Sequence, residues 1–152
     1  MGSTGATGST GATGPGTTSY AARIFRTTPF IVDPETSAAI EFDDERFDLG
    51  MNFTPPGTAF VAPVAGVYSV WGQVTFQSGT DVDVLIIVDG VTYAIERITG
   101  DAAGVSVNLS TAVQLDAGDA VTLGVMNNDA VAPAVVSSDP GTSPEFSIAR
   151  VA

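Results

Sequence analysis

The chain reads as all-β, a two-sheet sandwich or barrel, on three observations. Past Ser19, short segments rich in Val, Ile, Phe, Thr and Tyr recur, and these residue types suit a pleated, half-buried surface. Clusters of Gly, Pro, Asp and Asn punctuate them, as at Asp89-Gly90, Ala117-Gly118-Asp119, Asn127-Asn128-Asp129 and Asp139-Pro140-Gly141. No segment keeps a helical repeat for long. Many short strands at such spacing close into sandwiches or barrels.

Taken in order, the predicted strands are Ala21–Thr27, Ala38–Phe42, Ala59–Ala62, Val67–Phe76, Val82–Val88, Thr92–Ile98, Val105–Leu115, Ala120–Met126 and Phe146–Val151. Asp89-Gly90 lies between Val88 and Val91, a strong signal for a tight hairpin. In Val67–Phe76 the alternation puts Tyr68, Val70, Val74 and Phe76 on a core face. Val67, Ser69, Trp71, Gln73 and Thr75 share the other face, so the only tryptophan stands among small and polar neighbours. That is the pattern of a surface another chain could cover. In Val105–Leu115, Val105, Val107 and Leu109 alternate with Ser106, Asn108 and Ser110. The polar side of this strand either meets water or packs against a symmetry mate.

Ahead of these strands, glycine recurs at every third position from Gly2 to Gly14, with threonine closing four of the triplets. Only glycine fits the axis of a collagen triple helix, so the period predicts a collagen-like stalk and hence three chains. The alternative is a flexible low-complexity linker. The repeat contains no proline before Pro15 and breaks at Thr17, so this stretch alone is not expected to wind. Residues 1–19 are therefore read as tail and linker, and 20–152 as one domain.

Composition excludes much chemistry. The 152 residues contain no Cys or His, and the basic residues are five arginines with no lysine. That removes thiolate nucleophiles, disulfides, imidazole bases, Schiff-base lysines and zinc ligation by Cys or His. The net charge of -12 repels nucleic acid and anionic lipid. No apolar run approaches a membrane span, and no basic-then-apolar leader opens the chain, so a soluble chain without membrane insertion is expected.

Between residues 42 and 68 the spacing becomes specific: Phe42, five residues, Asp48, four residues, Phe53, six residues, Phe60, five residues, then Gly66-Val67-Tyr68. This resembles the signature of the complement C1q and tumour necrosis factor-like superfamily. Pro63, the turn from Leu115 to Val121 and the closing Phe146-Ser147 strand fit the same pattern, which spans roughly Ala21 to Ala152. Val70 and Gly72 depart from it, since the family usually carries aromatics there, and this implies different packing near that strand. The resemblance implies a two-sheet, ten-strand jelly-roll sandwich that forms a homotrimer about a threefold axis. Tyr68 would then lie in the core. Trp71, Ser69 and Gln73, with Ser106 and Asn108, would face the trimer interior. With its Gly-x-Thr tail, the chain further resembles the collagen-like glycoproteins of the bacterial spore exosporium, whose triplet threonines can carry O-linked sugar.

Acidic clusters are the remaining candidates for chemistry. Asp43-Asp44-Glu45 with Asp48 forms one, and Asp81 with Asp83 another. Alternate Asp residues at a strand start can point the same way and offer calcium its oxygen ligands. Members of the resembled superfamily sometimes bind calcium near the trimer top. The plainer reading is a solvated acidic loop that protects an edge strand. A paired-carboxylate glycosidase is not expected, because the acids fall in loops with no evident cleft. Asn52-Phe53-Thr54 and Asn108-Leu109-Ser110 match the N-glycosylation pattern but are taken as chance matches. The expectation is a non-enzymatic structural or adhesive head on a bacterial spore or cell surface. It has no cofactor, with calcium the candidate exception, and a surface glycan or protein receptor is its candidate partner. Two further readings are a receptor- or glycan-binding fibre tip and a calcium-dependent adhesin.

Overall fold

The computed structural model describes residues 19–152. The Gly-x-Thr tail expected over residues 1–19 lies outside the described residues except for Ser19. The described chain forms twelve strands: β1 (Ala21–Phe25), β2 (Phe30–Val32), β3 (Ser37–Ala39), β4 (Asp44–Leu49), β5 (Ala59–Val61) and β6 (Gly66–Ser78), then β7 (Thr80–Val88), β8 (Val91–Asp101), β9 (Ser106–Leu115), β10 (Ala120–Asn127), β11 (Ala134–Val136) and β12 (Glu145–Arg150). A seven-stranded sheet has the order β2-β11-β6-β12-β1-β4, with β9 on the other edge of β6. A five-stranded sheet has the order β3-β10-β7-β8, and β5 also pairs with β10. The two sheets pack face to face, as alternating apolar strands require.

The core lies between them. Tyr68, Val70, Val74 and Phe76 of β6 are buried against Val82, Val84, Ile86 and Leu123 from the opposite sheet. Gly72 also faces this core. A methyl group there would lie 2.6 Å from a Leu123 methyl and 3.4 Å from one of Leu109, so leucines fill the space an aromatic would need. This is the altered packing expected at that strand.

The Phe42-to-Tyr68 spacing has a physical basis. Phe42 is fully buried, stacks on Phe146 at 6.0 Å, and bridges to Gly57 through paired backbone hydrogen bonds of 2.8 and 3.0 Å. Asp48 Oδ2 accepts the Phe53 N–H at 2.9 Å, which closes the loop after β4. Its Oδ1 is buried and unpartnered among the described residues. Phe60 packs on Tyr68 with ring centroids 6.1 Å apart, and the Tyr68 hydroxyl donates to the Val64 carbonyl at 2.8 Å.

Where expectation and structure differ, the reasons are local. β2, β4 and β11 were not predicted: two are three-residue strands flanked by prolines, and β4 is an exposed edge strand heavy with acids. The jelly roll thus comes in twelve segments rather than ten, because four strands are only three residues long. The second predicted strand, Ala38–Phe42, pairs regularly only at Ser37–Ala39, after which the chain leaves to bridge Gly57. Val105 is exposed because its N–H turns back to the Ala102 carbonyl, and β9 starts one residue later. The hairpin at Asp89-Gly90 forms as expected, with both residues at positive φ, 47° and 82°.

One pole of the sandwich holds both ends of the described chain, where the Arg150 N–H donates to the Tyr20 carbonyl at 2.9 Å. The segments 26–29, 101–105, 127–133 and 137–144 gather at the other. Truncating Phe42 to Ala removes a stacked aromatic from a fully buried site, and should lower stability by about 3–5 kcal/mol. Urea unfolding followed by far-ultraviolet circular dichroism measures it. Tyr68→Phe, which loses one hydrogen bond but no volume, should cost only about 1 kcal/mol.

Candidate functional site

The outer face of the seven-stranded sheet is assembled by strand register. β6 and β9 pair Gln73 with Asn108, Trp71 with Ser110 and Thr75 with Ser106. On its other side β6 sets Trp71 opposite Ser147 and Ser69 opposite Ala149 of β12. Ser69, Trp71, Gln73, Ser106 and Asn108 therefore share one surface, with Trp71 half-buried and Ser106 and Asn108 exposed. Small residues flank the indole on both neighbouring strands. β1 and β4 extend the face with Ala21, Arg23, Phe47 and Leu49, and these last two large apolar side chains are 42% and 49% exposed.

A buried carboxylate anchors this face. Glu145, at the start of β12, accepts Arg23 Nε on Oε1 and Nη2 on Oε2, both at 2.9 Å. Arg46 Nε reaches the same Oε1 at 2.5 Å. Arg23 lies over the Trp71 ring at 5.9 Å, and Arg46 over Phe25 at 4.6 Å. Burial works against ionising Glu145, but the hydrogen bonds from the two arginines outweigh it and hold the carboxyl below its ordinary range. No single stretch of sequence reveals this cluster, because its members lie 122 and 99 residues apart. The available signal was a charge placed among apolar strand residues at Arg23 and Glu145.

The candidate calcium ligands have other work. Asp83 is 1% exposed, and both of its oxygens accept the Arg97 guanidinium at 2.8 Å. Chiefly that hydrogen bonding lowers its pKa. Asp81 sits at a register shift of β7 with φ of 50°, and its Oδ1 accepts the Gly100 N–H at 2.6 Å. Among the described residues, no three potential metal-ligating side chains of the Asp, Glu, His and Cys types gather. In the other acidic cluster, Asp43 caps the chain after β1 by accepting the Thr27 N–H at 2.8 Å and the Thr27 hydroxyl at 3.0 Å.

The fold has solved counterparts. The globular domain of zebrafish complement 1qA superposes with a TM-score of 0.69 at 15% identity, covering 88% of this chain and 98% of that one. Murine APRIL gives TM-scores of 0.65 at pH 5.0 and 0.62 at pH 8.5, each at 14% identity and covering 88% of this chain and 99% of that one. No protein-family model and no curated protein sequence matches the chain. The sandwich is thus a C1q and TNF-like jelly roll, at an identity that establishes the fold alone.

Glu145 and Asp83 couple the stability of the fold to acid pH. Both carboxyls are depressed in the folded state. Their contribution is therefore present above the unfolded carboxylate pKa of about 4 and is lost as pH falls through the lower folded values. The chain has no His or Cys to titrate between about pH 5 and 8. Thermal melting should be flat from roughly pH 6 to 9 and should fall below about pH 4. Glu145→Gln should lower the plateau and shrink the acid-side drop.

Proposed function

We propose that this chain is a non-enzymatic trimeric head, whose three copies meet through the outer face of the seven-stranded sheet. The carrying observation is that face itself: a half-buried tryptophan among Ser and Ala neighbours, continued by the exposed Phe47 and Leu49. Large apolar side chains gathered on one exposed sheet face mark an interface. The C1q and TNF-like fold supports the reading, and so does the Gly-x-Thr repeat, since a collagen-type stalk needs three chains. Tyr20 and Arg150 share one pole, so a stalk leaves there and the opposite pole points outward. The head nucleates the stalk by raising the local concentration of its three strands. It serves structural display or adhesion on the exterior of a bacterial spore or cell. Catalysis is no part of this reading, because a chain without Cys, His or Lys lacks the usual means of activating a nucleophile.

A second reading, a fibre head that binds a receptor or glycan, is favoured by the hollows at the outward pole. One is lined by Thr75, Gln77, Ser106, Asp139 and Thr142, another by Phe25, Arg46, Ser138 and Ser143.

Light scattering at micromolar concentration should return three times the 15.4 kDa chain mass. Trp71→Glu should return a monomer with an unchanged circular dichroism spectrum. A monomeric parent chain overturns the assembly, and a Trp71→Glu variant that remains trimeric overturns the chosen face.

A further inference from the structure

The outward pole carries one hollow whose charge runs against the rest of the molecule. It has a volume of 350 Å³ and is lined by Phe25, Arg26, Thr27, Arg46, Ser138, Pro140, Gly141 and Ser143, two arginines and no carboxylate. The chain as a whole carries -12. Arg23 and Arg46 share the single carboxylate of Glu145, so Arg46 keeps donors to spare beside the hollow. The nearby Asp43 accepts the Thr27 amide and the hydroxyls of Thr27 and Thr28.

The donors are arranged for use. Arg46 spends only Nε on Glu145, and its terminal nitrogens make no hydrogen bond among the described residues. The guanidinium is held against Phe25 at 4.6 Å, which fixes its plane. A pinned arginine with two free terminal N–H groups forms a fork for a planar carboxylate. Arg26 differs: its three nitrogens donate to the carbonyls of Thr28, Glu41 and Pro29, and it lies 3.8 Å from the Glu41 carboxylate, so it has little left to offer a ligand. The hydroxyls of Ser138 and Ser143 are half-buried and make no side-chain hydrogen bond among the described residues. They border the same space and suit a ligand that itself bears hydroxyls.

We infer that this hollow binds a monoanionic sugar acid, with the carboxylate on the Arg46 fork and ring hydroxyls on Ser138 and Ser143. The volume admits a monosaccharide, and the one guanidinium with free terminal N–H groups, that of Arg46, matches one carboxylate. All lining groups come from one chain; the site rests on the second reading above and gives it a ligand class.

Isothermal titration of the full chain with sodium glucuronate tests the assignment, with glucose, acetate and inorganic phosphate as separate probes. Glucuronate should bind at least about tenfold more tightly than glucose, as a charge-assisted hydrogen bond requires. Arg46→Gln should abolish that preference, and Arg46→Lys should retain part of it. Ser138→Ala with Ser143→Ala should weaken glucuronate while leaving acetate unchanged. Arg97→Gln, at a distant ion pair, should leave glucuronate binding intact. Equal binding of glucose and glucuronate, or full binding by a folded Arg46→Gln variant, overturns the site. Acetate or phosphate binding as tightly as glucuronate overturns the sugar and leaves a plain anion hollow. Light scattering on the same samples keeps loss of the trimer distinguishable from loss of the ligand.

Discussion

The alternation of side chains along β6 is the constraint on which the rest of the structure depends. This thirteen-residue strand pairs with β9 along one edge and with β12 and β11 along the other. Its inward face supplies Tyr68, Val70, Val74 and Phe76 to the core, and its outward face supplies Ser69, Trp71 and Gln73. A slip of one residue would bury Trp71 and expose Tyr68 together with its bond to Val64. Core and outer face are therefore set by one register. The small residues that flank Trp71 arrive through pairing with β6 as well, from Ser110 on one side and Ser147 on the other.

Charge is arranged to spare that face. Arg23, Arg26, Arg46 and Arg97, four of the five arginines, are bound to acceptors within the chain. The acids that remain in water are not matched by mobile cations, since lysine is absent. Such a surface keeps copies of the chain apart except where apolar contact outweighs repulsion. On the outer face of the seven-stranded sheet, Glu145 is the buried carboxylate, and two arginines neutralise it. The sheet can then be covered without leaving that buried carboxylate unpaired, which would cost several kcal/mol.

The fold was legible where a local rule acts alone. Period-two alternation in β6 and the Asp89-Gly90 turn needed no knowledge of partners, and both stand as read. Ser69, Trp71 and Gln73 share a face as alternation along β6 requires, and pairing brings Ser106 and Asn108 across from Thr75 and Gln73. β4 was invisible because Asp-Glu-Arg-Phe-Asp-Leu has the composition of a loop, and only pairing with β1 makes it a strand. The Glu145 cluster and the Arg46 hollow depend on which strands become neighbours. That is a property of topology, which side-chain patterns within one segment do not encode. Asp81 and Asp83 illustrate the converse. Their spacing suggested a shared ligand, but a register shift at Asp81 and the Arg97 fork on Asp83 give them separate partners.

Because the chain contains a single tryptophan, quenching of its fluorescence by acrylamide reports directly on the outer face of the seven-stranded sheet. If three copies meet there, Trp71 will be shielded and blue-shifted at concentrations where the mass is that of a trimer, and will become quenchable and red-shifted as dilution dissociates the assembly. A trimer whose Trp71 stays as quenchable as in the separated chain would contradict the account.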